Sequence, residues 1–343
     1  MIEPLLFFGL VTFWAANPNP DGSRPGAYRL LIPAFLAGGA FAGLIGILQF
    51  GGLNLAPLIG QKVGFSDDSI LVEGVRRVSS LYGHPNNFGL YMGRIWPIAA
   101  VLALATWRRP DRRFAAALLI LVSLLSIGGL LVSFSRGAYL GALVAAAVIA
   151  AALLPAGWWR SRRVLVASGL IAGLGIIGVA LILILDIERF NPFGASSAIR
   201  IQTWISALAM LRDHPLGIGL DQFGQLYPQY INPALAGTNE INTAHPHNLI
   251  LDIALRMGPL GLIAFGWLIW QQMYGRSNRQ ADHGEHISHS VRLLRYSSPP
   301  LRLGILAALA AALTHGLVDA FYFWPDLAFA FWLFVALADD PPE

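Results

Sequence analysis

Positions 108–137 read RRPDRR, then FAAALLILVSLLSIGGLLVSF, then SRG: four arginines around Pro110 and Asp111, a run of 21 residues without a charge, and a minimal loop holding Arg136. As a helix that run rises about 30 Å, the thickness of a bilayer's hydrocarbon core. Its basic flank is the kind that cytoplasmic loops of membrane proteins carry. A second apolar run, 138–156, follows almost at once, so 133–137 reads as a tight turn between two spans.

The same alternation extends in both directions. Length and apolarity mark about nine candidate spans, at 2–16, 28–50, 85–107, 114–134, 138–156, 164–185, 248–270, 303–321 and 324–338. The chain is 56% hydrophobic and 12% charged, where soluble domains carry about 25% charge. The expected fold class is all-α: a polytopic transmembrane helical bundle forming a single integral membrane domain over 1–343. The run 2–16 lacks a basic start and contains Glu3, so it reads as a short or truncated first span rather than a cleaved leader.

All but one of the 23 basic residues are arginine, and the net charge is +4. They cluster in short loops, the pattern of membrane orientation and not of nucleic-acid binding. There is no cysteine, which excludes disulfides, thiol nucleophiles and cysteine metal sites. The loop 108–113, the cluster Arg160-Ser161-Arg162-Arg163 and the segment 271–302, with Arg276, Arg279, Arg292, Arg295 and Arg302, fall on one side if the spans alternate. Arg24 and Arg29 agree. That side is read as cytoplasmic, which makes 271–302 a cytoplasmic loop.

The opposite side receives 51–84, the turn 133–137 and the long loop 186–247. A connection of that length argues for function. Within it, 197–212 reads as an amphipathic helix with Ile201, Trp204, Ile205, Leu208 and Leu211 at helical spacing and Ser197 as its cap. Such a helix suits the membrane interface.

Several residues on this side have a chemical use. Arg136 stands at the hydrocarbon boundary, either as a bidentate clamp for phosphate or as a snorkelling span end. Arg200 and Trp204 share a helix face, as an anion contact or as an interfacial anchor. In Ala244-His245-Pro246-His247-Asn248, His247 is placed to act as a general base and Asn248 to orient its ring or a sugar; a solvated loop reads equally well. His315 and Asp319, one turn apart near a span end, are either functional or satisfy each other. Asp252 and Arg256 have the spacing of a structural ion pair. The histidines of Asp282-His283-Gly284-Glu285-His286 and His289 sit in a polar loop with no frame for a metal site.

Together these pieces resemble the O-antigen ligase and O-antigen polymerase superfamily of membrane glycosyltransferases. The landmarks are Arg77-Val78-Ser79-Ser80-Leu81-Tyr82-Gly83-His84-Pro85-Asn86, then 133–138, Arg200 with Trp204, Asp213-His214-Pro215-Leu216-Gly217-Ile218-Gly219, 245–248 and Gly258-Pro259-Leu260-Gly261. The resemblance implies a C-type glycosyltransferase architecture in a bacterial inner membrane, its site facing the periplasm, with 186–247 as the periplasmic loop. It implies an inverting enzyme without metal or cofactor. The donor would be an undecaprenyl-diphosphate-linked sugar or glycan, and the acceptor lipid A core, a glycan or another hydroxyl, as in lipopolysaccharide and other polysaccharide biosynthesis. Membrane lipids would be partners and nucleic acid would not. The family's roles carry to Arg136 and Arg200 on the diphosphate and to His247 as catalytic base. Asn86 would line the same cavity, with His245, Asn248, His315 and Asp319 as supporting candidates. Arg256 departs from the acidic residue often found there. The alternative reading is a transporter of bicarbonate or another small anion, with His315 and Asp319 along its path; a non-catalytic scaffold is the third.

Overall fold

A computed structural model of the chain describes residues 2–17, 19, 26–53, 71–72, 75–153, 191, 194–233, 235–237, 239–281, 300–320 and 322–338. Backbone groups in lipid must satisfy one another, and an apolar sequence of this kind does so as helices. Among the described residues the helices are α1 Ile2–Ala16, α2 Gly26–Phe50, α3 Pro85–Trp107, α4 Arg113–Val132, α5 Arg136–Leu153, α6 Ala195–Asp213, α7 Phe223–Tyr230, α8 Leu249–Ala281, α9 Pro300–Gly316 and α10 Pro325–Ala338. A two-residue hairpin pairs Leu71–Val72 with Val75–Arg76. Five helices are long and apolar enough to cross a membrane, and three shorter apolar ones accompany them. The chain is an all-α polytopic membrane protein. The expected span 164–185, the cluster 160–163 and the histidines at 283, 286 and 289 lie outside the described residues.

The bundle is built around α3, whose apolar window is 72% buried against 28% for α4 and α5. Helix α3 packs on α2, α4, α5 and α9. Its Phe88, Met92, Ile95 and Ile98 join Ile305 and Ala308 of α9 and Leu327, Phe331 and Phe334 of α10 in one core. Leu118, Leu121, Leu124, Leu143, Ile263 and Trp267 stay exposed on the outer helix faces, where lipid is the natural solvent. Helices α5 and α9 touch backbone to backbone. A Cβ at Gly141 would stand 2.6 Å from the Ala311 carbonyl oxygen, so only glycine permits the crossing.

The starts of α3, α5 and α8 and the end of α9 meet at one end of the bundle. The arginine-rich turn 108–113 lies at the other, with all its arginines exposed.

Two expectations are corrected here, the cap of α6 and the helix shared by His315 and Asp319. Helix α6 starts with Gly194 as N-cap and no side-chain cap bond; Ser197 does not cap it. Its packed face carries Thr203, Ala207 and Met210, against Phe223 and Tyr227 of α7 and Leu255 of α8. The apolar residues Ile201, Ile205 and Leu208 of the expected stripe point outward. Finally, α9 ends at Gly316, so Asp319 belongs to the turn before α10 and does not share a helix with His315.

Helix α8 bends at Gly258, where φ is +68° ahead of Pro259. The Leu216 carbonyl presses on that glycine, and Ile218 N–H donates to Leu255 O at 2.6 Å, seating the 214–219 turn on the helix. The expected pair of Asp252 and Arg256 is present, with Arg256 Nε 2.8 Å from Asp252 Oδ1. Arg256 also bonds Asp221 and lies over the Phe323 ring at 4.6 Å.

Candidate active site

The site end is organised by two short connections. Residues 77–84 run between helices: Ser80 Oγ donates to Ala42 O at 2.6 Å, and its N–H to Gln49 Oε1 at 2.8 Å. The stretch ends in His84, the N-cap of α3, whose Nδ1 accepts the Asn86 N–H at 3.1 Å, with Pro85 in the first turn. The turn 133–135 joins α4 to α5. It closes with Phe134 in the left-handed region, φ +46°, and with Ser135 N–H on Ser133 Oγ at 3.2 Å.

From these a hydrogen-bond chain crosses the site. Buried Arg77 donates from Nε to Ser133 O at 3.1 Å and from Nη2 to Asn86 Oδ1 at 2.7 Å. Asn86 Nδ2 donates to Asp319 Oδ2 at 2.7 Å. Asp319 Oδ1 accepts the Ala320 N–H at 2.9 Å and lies 3.3 Å from His247 Nδ1. His247 adopts φ +50°, a sparsely populated conformation that histidine tolerates better than most residues. Its N–H donates to His245 Nδ1 at 3.2 Å, and the two rings stand 4.3 Å apart.

Asn248 does not orient the ring. Its Oδ1 caps α8 through the N–H groups of Ile250 and Leu251, and its Nδ2 donates to Leu317 O at 2.9 Å. His315 does not bond Asp319 either; its Nε2 lies 3.3 Å from Ser135 Oγ, and its buried Nδ1 has no hydrogen-bond partner among the described residues.

The electrostatics follow from this packing. Burial pushes the Asp319 carboxyl up, but the His247 hydrogen bond and the charges of the surrounding histidines win and hold it well below its ordinary value. Burial, helped by His247 and Arg256 and opposed by Asp319, pushes the His245 ring down to about 3. Burial likewise lowers His84 to about 4; Asp319 opposes it, while Arg77, His247 and Arg200 add to it. His84 remains exposed and His245 half-buried although protein surrounds both rings.

The arginines come from the α5 and α6 side. Arg136 donates to Asn191 O at 2.9 Å and to Ser196 Oγ at 2.6 Å in the first turn of α6. Arg200 follows Ser196 by one turn and finds no hydrogen-bond acceptor among the described residues, nor does the buried indole N–H of Trp204. Charge from Arg200 reaches His84. One end of the bundle therefore holds cationic donors suited to an anion, and an imidazole braced by a carboxylate. His245, His247 and Asp319 have the spacing of cation ligands. Both Asp319 oxygens and His245 Nδ1 accept hydrogen bonds.

The roles of Arg77 and His84 were not read from the sequence. Both lie in the landmark 77–86, but their partners lie elsewhere in the chain. No curated protein matches the chain. Residues 121–266, from within α4 to within α8, match the family model described as O-antigen ligase.

Proposed function

We propose that the chain transfers a sugar or glycan from an undecaprenyl-diphosphate carrier to an acceptor hydroxyl at the periplasmic face of a bacterial inner membrane. The observation that carries this reading is the His247–Asp319 contact at the end of the bundle where Arg136 and Arg200 enter. An ionised Asp319 only accepts, so His247 Nδ1 bears the proton and Nε2 keeps its lone pair. In this reading Nε2 takes the proton of the acceptor hydroxyl. The hydroxyl oxygen attacks the anomeric carbon, and the bond from that carbon to the diphosphate oxygen breaks with inversion. The electron pair leaves with the diphosphate, whose growing charge meets the forked donors of Arg136 and Arg200. Trp204 Nε1 adds a neutral donor on the Arg200 face. Two guanidinium groups neutralise the leaving diphosphate, so the mechanism uses no metal.

The acceptor, whether lipid A core, a growing glycan or another hydroxyl, approaches from the aqueous side beneath the long loop. The carrier's tail lies in lipid. The test is transfer from a polyprenyl-diphosphate-linked oligosaccharide by the protein in lipid nanodiscs, with and without chelator. His247→Ala is expected to abolish turnover. Arg136→Lys, which keeps charge but loses the fork, is expected to lower it in part. Full activity in both variants, or activity that chelator removes, overturns the mechanism.

A further inference from the structure

We propose that Arg77 is a positioning residue that sets the tautomer of His247 through Asn86 and Asp319. The inference rests on the reading of His247 as the base.

Hydrogen bonds have direction. Guanidinium only donates, so Asn86 must turn Oδ1 to Arg77, as it does at 2.7 Å. That orientation presents Nδ2 to Asp319, where it donates at 2.7 Å. A carboxylate held ionised by the donors Asn86 Nδ2 and Ala320 N–H can only accept, so at the His247 side it faces Nδ1–H, 3.3 Å away. Every bond from Arg77 to His247 points one way, and the last forces the proton onto Nδ1. Arg77 is 6% exposed and Asp319 3%, so water does not readily substitute in the chain.

The same guanidinium fixes a distance. Its Nε binds the carbonyl of Ser133 at the C-terminal cap of α4, where the helix dipole favours a cation. Ser133 lies three residues before Arg136. Arg77 thus joins the turn that launches the Arg136 helix to the carboxylate that holds His247. The other charged and titratable groups around His247 are His84, His245, His315, Arg200, Asp252 and Arg256; among the described residues none of them is hydrogen-bonded to Asp319, so none replaces the chain.

The experiment is ¹⁵N-histidine NMR of the full chain in nanodiscs, combined with turnover of a polyprenyl-diphosphate-linked disaccharide offered a lipid-linked oligosaccharide acceptor. In the wild type, neutral His247 is expected as the Nδ1–H tautomer alone. In Arg77→Gln the Asn86 amide is free to turn Oδ1 toward Asp319 Oδ2; two acceptors then face each other, the carboxyl takes up a proton or swings away from His247, a mixture of tautomers is expected, and kcat should fall about tenfold or more with donor KM unchanged. Asn86→Ala should do the same, and the double variant should be no worse than either single. Arg77→Lys should recover part of the loss. A single Nδ1–H tautomer with wild-type kcat in Arg77→Gln and Asn86→Ala overturns the proposal, even if the unfolding temperature falls. Should Arg77→Gln fail to fold, Asn86→Ala decides, because it cuts the relay and leaves the bond to Ser133. If His247→Ala turns over at the wild-type rate, the base assignment fails, while the tautomer measurement still judges Arg77.

Discussion

Nδ1 of His247 stands 3.3 Å from Oδ1 of Asp319, a residue 72 positions later in the chain. The turn before α8 and the turn after α9 have nothing in common in sequence, and this contact makes them one unit. In the proposed mechanism its value is orientation: a carboxylate that accepts from Nδ1–H steadies the ring and stabilises the imidazolium that forms if Nε2 takes a proton.

Asp319→Asn keeps the size of the side chain, removes its charge, and sets an amide nitrogen turned to His247 against the Ala320 N–H as well. An amide that donates to Nδ1 moves the ring proton to Nε2 and removes the base. Turnover is expected to fall about a hundredfold or more, with donor KM little changed. Steady-state kinetics alongside the unfolding temperature check this. An active Asp319→Asn would mean that the carboxylate has no part in turnover.

Acid should destabilise the site in two steps. His84 and His245 have folded values of about 4 and about 3, below their ordinary 6.5, so the unfolded chain takes up protons that the folded rings refuse. Stability therefore declines as pH falls from 6.5 toward 4. Asp319, held below 3.8, adds its own loss at still lower pH. The apparent unfolding temperature in nanodiscs should drop across the upper window, and the drop should shrink in a His84→Gln/His245→Gln double variant. An unchanged slope would assign the acid sensitivity elsewhere.

Much of the bundle was readable because runs such as 114–134 leave lipid as their only suitable solvent. What escaped was set by distant partners. The apolar run 303–321 gives no local sign of stopping at Gly316; the break is stabilised by Asn248 Nδ2 on the Leu317 carbonyl, a contact between separate helices. Arg77 stood in a recognised motif without a role, because the Ser133 carbonyl it binds is 56 residues away. The α6 stripe was found from its spacing, but spacing does not say which face meets protein. Tyr227 and Phe223 decide that by packing on Thr203, Ala207 and Met210.

That outward stripe leads to a depth measurement. Ile201, Ile205 and Leu208 are each more than half exposed, too much apolar surface on one helix face to suit water. Helix α6 is expected to lie in the membrane interface with these residues toward the acyl chains. Nitroxide labels at Ile201→Cys, Ile205→Cys and Leu208→Cys should be relaxed by oxygen, the lipid-soluble agent, more than by an aqueous nickel complex. Asp213→Cys at the end of the helix should show the reverse. Equal accessibility at all four positions would remove α6 from the interface.

Arg256 provides the most severe test of the loop's seating. Its side chain is 8% exposed and Asp252's 2%, so the pair is cut off from solvent, while the contact with Asp221 reaches an almost fully exposed residue. The two bonds differ in weight. Among the described residues Arg256 alone donates to the Asp252 side chain, so Arg256→Met leaves a buried carboxylate without its counter-charge and is expected to cost about 3–5 kcal/mol. Asp221→Asn removes only a screened contact and should cost less than about 1 kcal/mol. Replacing both partners, as in Asp252→Leu/Arg256→Met, should recover much of the single-variant loss, because a buried ion pair is worth little more than apolar residues of like size. The 214–222 turn should nevertheless stay loosened in that double variant, since Asp221 and the Phe323 ring have both lost the guanidinium. Proteolysis of the turn, read beside the unfolding temperature, separates the outcomes: recovered stability with faster cleavage supports this account, and recovered stability with unchanged cleavage shows that the Leu216 and Ile218 contacts hold the turn without Arg256.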